Sequence, residues 1–167
     1  MQVNGVYVKA GFECQPAFTI TRPLTSAKRR KQALTEFFMP MHPPTVTAQE
    51  HRVTDKNGKP VFYDPPALSN AKAKLTAHLG RHRLDRPIDR GVRLTVKWLF
   101  PIPKGSHHRD GEYRITRPDT DNLNKLLKDC MTYCGFWEDD ALVCSEICEK
   151  FWAQVPGIYI RIEEVQE

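Results

Sequence analysis

Four aspartates stand in two close pairs in the C-terminal third of the chain. Asp119 and Asp121 lie in Arg117-Pro118-Asp119-Thr120-Asp121-Asn122-Leu123-Asn124-Lys125, and Asp139 and Asp140 close Gly135-Phe136-Trp137-Glu138-Asp139-Asp140. Two carboxylates ~4 Å apart repel by about 1–4 kcal/mol at surface-like dielectric, so a cluster of them implies a cation. Hard oxygen ligands favour Mg²⁺ or Mn²⁺. Such an ion can polarise a scissile phosphate, activate water and stabilise a leaving oxygen. Lys125, one helical turn beyond Asp121, could orient the attacking water or neutralise charge on a pentacovalent phosphorus. Plainer roles fit the same spacing. Asp119 could cap a helix, Asp121 and Lys125 could form an exposed pair worth ~0.3–0.5 kcal/mol, and Asp139-Asp140 could be turn residues. Spacing alone leaves both readings open.

The elements that must position these residues follow from periodicity. Leu123, Leu126, Leu127, Cys130, Met131 and Cys134 form one apolar face and predict a helix from about Asp119, with Asp121, Lys125 and Lys128 on the opposite face. Gly135 is its natural stop, and Phe136-Trp137 is expected to plug the core. One aspartate pair flanks the start of this helix and the other lies beyond its end. Convergence therefore needs a neighbouring copy of the chain, or a strand that returns the Asp139-Asp140 turn towards Asp119. Val92, Leu94, Val96, Trp98 and Phe100 alternate with more polar residues and mark a strand over 91–101, with both aromatics in the core. Strands are expected over about 142–152 and 157–163, and the turn dipeptide Pro156-Gly157 predicts that they pair antiparallel. Upstream, Glu36–Pro40 reads as a strand and Asn57-Gly58 as a hairpin turn. Asp64-Pro65-Pro66 reads as a helix start with Asp64 as N-cap and Pro65 at the first helical position. That helix would bury Leu68, Ala71, Leu75 and Leu79 and leave Lys72 and Lys74 in water. Val6-Tyr7-Val8 and Phe18-Thr19-Ile20-Thr21 fit short strands. This order implies an α+β fold in a single domain, with a mixed or antiparallel sheet and both helices packed on one face.

A length of 167 residues suits one domain. The net charge of +5 hides a division. Residues 1–118 carry 21 Lys and Arg against 9 Asp and Glu, a surplus of +12, while residues 119–167 carry 4 against 11, a balance of −7. A basic body suits a polyanion and an acidic third suits metal ions. Arg81, Arg83 and Arg86 in one loop, and Arg109, Arg114 and Arg117 in another, are candidates for phosphate contact on such a polyanion. Lys28–Lys31 is a further basic run. The five cysteines do not form a disulfide framework: the number is odd and no secretory signal is present. A zinc site at Cys130, Cys134, Cys144 and Cys148 is disfavoured, because two of them would sit about 13 Å apart along a strand. They are read as small core residues. His78 and His82 are read as a basic helix end rather than ligands. No stretch approaches the roughly 18 uninterrupted apolar residues of a membrane span.

The block Asp119-Thr120-Asp121-Asn122-Leu123-x-Lys125, followed by Gly135-Phe136-Trp137-x-Asp139-Asp140-x-x-Val143, resembles the RusA family of Holliday junction resolvases. These are crossover junction endodeoxyribonucleases often carried by phages and prophages. The resemblance is specific over residues 114–150 and looser over 35–113. It implies a RusA-like domain over 35–167, preceded by an extension, 1–34, to which no role is assigned. It implies Asp119, Asp121 and Asp140 as metal-binding catalytic carboxylates and Lys125 as the catalytic lysine, and leaves Asp139 unassigned. It further implies a homodimer that places two sites across a four-way junction and nicks opposing strands symmetrically. The implied activity is Mg²⁺-dependent, with Mn²⁺ able to substitute, and serves DNA recombination and repair in the cytoplasm with no membrane partner. The alternatives are a nuclease for flaps or forks, and a junction-binding protein whose metal site is inactive.

Overall fold

The computed structural model describes residues 34–47, 52–56 and 59–165. In chain order the elements are β1 (Leu34–Pro40), β2 (Arg52–Lys56), β3 (Lys59–Tyr63), α1 (Pro66–Leu79), β4 (Val92–Pro101), α2 (Thr120–Cys134), β5 (Val143–Ala153) and β6 (Gly157–Glu164). The strands expected at Val6-Tyr7-Val8 and Phe18–Thr21 and the basic run at Lys28–Lys31 lie outside the described residues.

β4 organises the molecule. Its inward residues Val92, Leu94, Val96, Trp98 and Phe100 are all buried, and each such side chain contributes about 1.5–3 kcal/mol on removal from water. β6 supplies Ile158, Ile160 and Ile162 to the same face, and β1 supplies Met39. Leu68, Ala71, Leu75 and Leu79 of α1 and the apolar stripe of α2 complete one core cluster. The fold is therefore α+β, with a four-stranded mixed sheet in the order β1-β6-β4-β5 and a separate β2-β3 hairpin. Phe136 and Trp137 are buried as expected. Gly135 ends α2 in the left-handed conformation, φ 79° and ψ 33°, which a side chain would strain.

The pairing of the last two strands corrects the sequence reading. β5 and β6 are not neighbours. β5 runs parallel to β4, with Lys97 opposite Glu149, and β6 runs antiparallel to β4 on its other side, with Lys97 opposite Tyr159. The most apolar strand takes the centre, where both edges can be paired. Residues 154–156 then bridge two strand spacings, about 10 Å, within the reach of four peptide steps. The parallel β4–β5 pair needs a long crossover, which α2 and its flanking loops provide.

Three smaller expectations also change. Pro65, not Asp64, occupies the N-cap of α1, and no side chain caps that helix. Asp64 instead accepts from Lys72 Nζ at 2.6 Å, so Lys72 is half-buried rather than free in water. Cys130 and Cys134 are buried, but Cys144 is exposed; it lies at the start of the edge strand β5, where the register with β4 is irregular, and its Sγ donates to the Val92 carbonyl at 3.3 Å.

Candidate active site

One strand, β5, sets the path of α2 and of the turn that leads into it. Its side chains 146, 148 and 150 point to the helix side and meet successive pieces of that segment. Glu146 accepts from Asn124 Nδ2 and, at 2.9 Å, from Lys128 Nζ. Cys148 Sγ donates to the Thr120 carbonyl at 3.7 Å. Lys150 Nζ donates to the carbonyls of Pro118 at 2.6 Å and Thr116 at 2.9 Å. Lys128, expected to face away from the core, therefore leans onto β5.

Held in this way, the N-terminal end of α2 presents Asp119, Asp121 and Lys125 to solvent, all three exposed. Asp119 occupies the N-cap position with extended backbone, φ −76° and ψ 148°, but its carboxylate caps nothing. Among the described residues, the side chains of Asp121 and Lys125 form no ion pair with each other and neither makes a hydrogen bond. At the other end, Asp139 Oδ1 accepts from the Ala141 amide at 2.8 Å and so caps the single turn Asp140–Leu142. Asp140 is exposed and its carboxylate has no partner among the described residues. The plain structural roles thus account for Asp139 and leave Asp119, Asp121 and Asp140 free.

The two groups do not meet within one chain. Asp140 lines an open hollow of about 260 Å³ with Asp129, Thr132, Glu138 and Asp139. Thr132 lies eleven residues beyond Asp121, which is about 16 Å along a helix. Among the described residues, no three His, Cys, Asp or Glu side chains are grouped to hold a metal ion.

Basic residues flank both ends of α2. Arg81, Arg83 and Arg86 are exposed in the segment after α1. Ile88 N–H donates to the Phe136 carbonyl at 2.9 Å and ties that segment to the C-terminal end of α2. Arg83 lies against this end: a Cβ on Gly135 would sit 3.4 Å from its guanidinium. Arg109 and Arg117 are exposed in the loop before α2. Arg114 differs. Its guanidinium lies 4.0 Å from the Phe100 ring centre and 4.7 Å from that of Trp152, and it donates to Thr116 Oγ1 and the Arg117 carbonyl. Burial lowers its pKa from the usual arginine value, and it remains charged. Arg114 thus braces the loop.

Sequence reasoning missed Glu146, Lys150 and Asn124. Asn124 is 1 % exposed and sits between Asp121 and Lys125 in the sequence. The readable signal was spacing: Asn124 stands three and seven residues before Leu127 and Met131, on the apolar face of the helix. Lys150 gave no such signal, because lysine in an edge strand ordinarily faces water.

Comparison with known proteins follows this geometry. The family model described as Endodeoxyribonuclease RusA matches residues 41–163. A relative from Lactococcus phage r1t, "Crossover junction endodeoxyribonuclease rusA", is 28 % identical over 130 residues, covering 78 % of this chain and 98 % of that protein. A second, "Uncharacterized protein YqaN" of Bacillus subtilis (strain 168), is 28 % identical over 119 residues, covering 66 % of this chain and 83 % of its own length. The match spans α1, α2, β4, β5 and nearly all of β6, with both aspartate pairs inside it, and this chain belongs to the RusA family of endodeoxyribonucleases.

Proposed function

We propose that this chain is a divalent-metal-dependent endonuclease that resolves four-way DNA junctions as a homodimer, in DNA recombination and repair in the cytoplasm. The observation that carries the reading is that Asp119, Asp121 and Asp140 are exposed carboxylates with no hydrogen bond or ion pair among the described residues. Hard oxygen donors with no protein partner suit Mg²⁺, with Mn²⁺ as a substitute. A bound divalent ion would polarise the scissile phosphate and lower the pKa of water.

A second copy supplies what one chain lacks. The exposed stripe of α2 is Asp121, Lys125, Asp129 and Tyr133, the last 81 % exposed. Laid antiparallel against its own copy, this stripe sets Lys125 opposite Asp129 of the partner subunit, twice. The same register carries Asp119 and Asp121 towards Asp140 of the partner subunit. Each composite site then has two carboxylates from one chain and one from the other. Lys125 stands beside it and offers an ammonium to charge developing on the phosphate. Arg109 and Arg117 from one chain, with Arg81, Arg83 and Arg86 from the other, hold the DNA backbone and carry no base reading. Two sites related by a two-fold axis match the symmetry of a four-way junction.

The test is cleavage of synthetic four-way junctions, forks and linear duplex with and without Mg²⁺. Asp119→Asn, Asp121→Asn and Asp140→Asn are each expected to slow junction nicking at least about a hundredfold while leaving metal-free junction binding intact. Lys125→Ala should lower turnover without lowering thermal stability. Wild-type nicking by any aspartate variant would remove that residue from the site. Equal cutting of forks and junctions would overturn the assigned substrate.

A further inference from the structure

Lys150 has no part in the reading above, yet it grips the entry to the proposed site. Its ammonium donates to the Thr116 carbonyl at 2.9 Å and the Pro118 carbonyl at 2.6 Å. The carbonyl between them, of Arg117, accepts from Arg114. The next two are also engaged: Asp119 C=O by the Leu123 amide at 3.1 Å, and Thr120 C=O by Cys148 Sγ at 3.7 Å. Every carbonyl from Thr116 to Thr120 therefore accepts a hydrogen bond. The carboxylates of Asp119 and Asp121 on the same segment accept none.

We infer that Lys150 is a positioning residue for the metal-holding carboxylates, fixing with Arg114 the backbone from which Asp119 and Asp121 project. The inference rests on the proposed metal site. A charged donor bonded to two backbone carbonyls holds the chain more rigidly than apolar packing, because hydrogen bonds are directional and charge-assisted ones are the stronger kind. Among the described residues, the hydrogen bonds of the Lys150 ammonium go to this turn alone, so removing them should loosen residues 115–121 before it loosens the sheet. A metal site depends on such outer partners nearly as much as on its ligands.

The experiment uses the full chain. Lys150→Met and Lys150→Arg are compared with the wild type by Mn²⁺ titration calorimetry, by hydrogen exchange, and by the Mg²⁺ dependence of junction nicking. Lys150→Met should weaken Mn²⁺ binding about tenfold or more and raise the Mg²⁺ needed for half-maximal nicking in parallel, and Lys150→Arg should recover most of that loss. Amides of 115–121 should exchange faster in Lys150→Met, with those of α1 and β4 unchanged. Wild-type Mn²⁺ affinity in Lys150→Met overturns the inference. So does exchange that rises throughout α1 and β4, or a Lys150→Arg variant as impaired as Lys150→Met. Asp119→Asn is the reference: if it binds Mn²⁺ like the wild type, the metal-site reading fails independently of Lys150.

Discussion

Trp98 Nε1 donates to Asn124 Oδ1 at 3.0 Å, and both residues are buried. This bond joins the middle of β4 to the first half of α2, between Asp121 and Lys125 in sequence. Asn124 passes the connection on to Glu146 of β5. Asn124→Ala would take from the buried indole N–H its oxygen acceptor and leave it only the weakly accepting Cys148 sulfur, at a cost of about 2–4 kcal/mol once the lost packing is added. Urea denaturation should show a lower midpoint with an unchanged slope. The double variant Trp98→Phe with Asn124→Leu should cost less than the sum of the two singles, since no polar group is then left alone.

Arg117 and Arg114 are three residues apart in one basic loop and should behave differently. Arg117 is exposed. Arg117→Ala should weaken junction binding, leave thermal stability unchanged, and reduce the slope of log affinity against log salt by about 1. Arg114 lies over Phe100 and Trp152. Arg114→Ala should also destabilise the fold, by about 1–2 kcal/mol from the lost ring contacts. Binding at several salt concentrations, with a melting curve for each variant, separates the two.

Burial pushes the thiol of Cys130 up to about 11 and that of Cys148 up to about 12, in each case mainly by desolvation. At pH 8 only roughly a thousandth of Cys130 and a ten-thousandth of Cys148 is thiolate, so alkylation should be very slow at both and much faster at exposed Cys144. The sign for stability follows. In the unfolded chain these thiols ionise near 9.0, so the stability they contribute is fully present below that pH. It is lost as pH rises from 9 through the folded values. Urea midpoints should fall between pH 9 and 11, and the Cys130→Ala, Cys148→Ala double variant should flatten that fall.

Both helices and β4 were legible in the sequence because their apolar periods are long and unbroken. The aspartate pairs and Lys125 were legible as types and spacings. Two things were not. Pro156-Gly157 signals a reversal of direction but not whether the reversed strand pairs with its predecessor or skips past a neighbour. That is decided by β4, which pairs along both of its backbone edges and so lies between β5 and β6. Hydrogen bonding was also hidden. Asp119, Asp139 and Asp140 read alike as caps or ligands, and only the geometry separates Asp139, which holds the Ala141 amide, from the other two.

The separation of Asp140 from Asp119 gives the sharpest test of the dimer. If each site takes Asp119 from one chain and Asp140 from the other, Asp119→Asn and Asp140→Asn homodimers are both inactive. Their heterodimer contains one site with both substitutions and one site with neither. Mixing the two purified variants, with exchange of subunits, should therefore restore nicking of a single strand without paired cutting, at up to roughly a quarter of the wild-type number of sites when association is random. If each site lay within one chain, every site in the mixture would carry one substitution and no activity would return. Strand-specific labels on a four-way junction distinguish single from paired nicks. The double variant Asp119→Asn, Asp140→Asn mixed with the wild type is the control: its heterodimer has no intact site across the two-fold axis and should not cut.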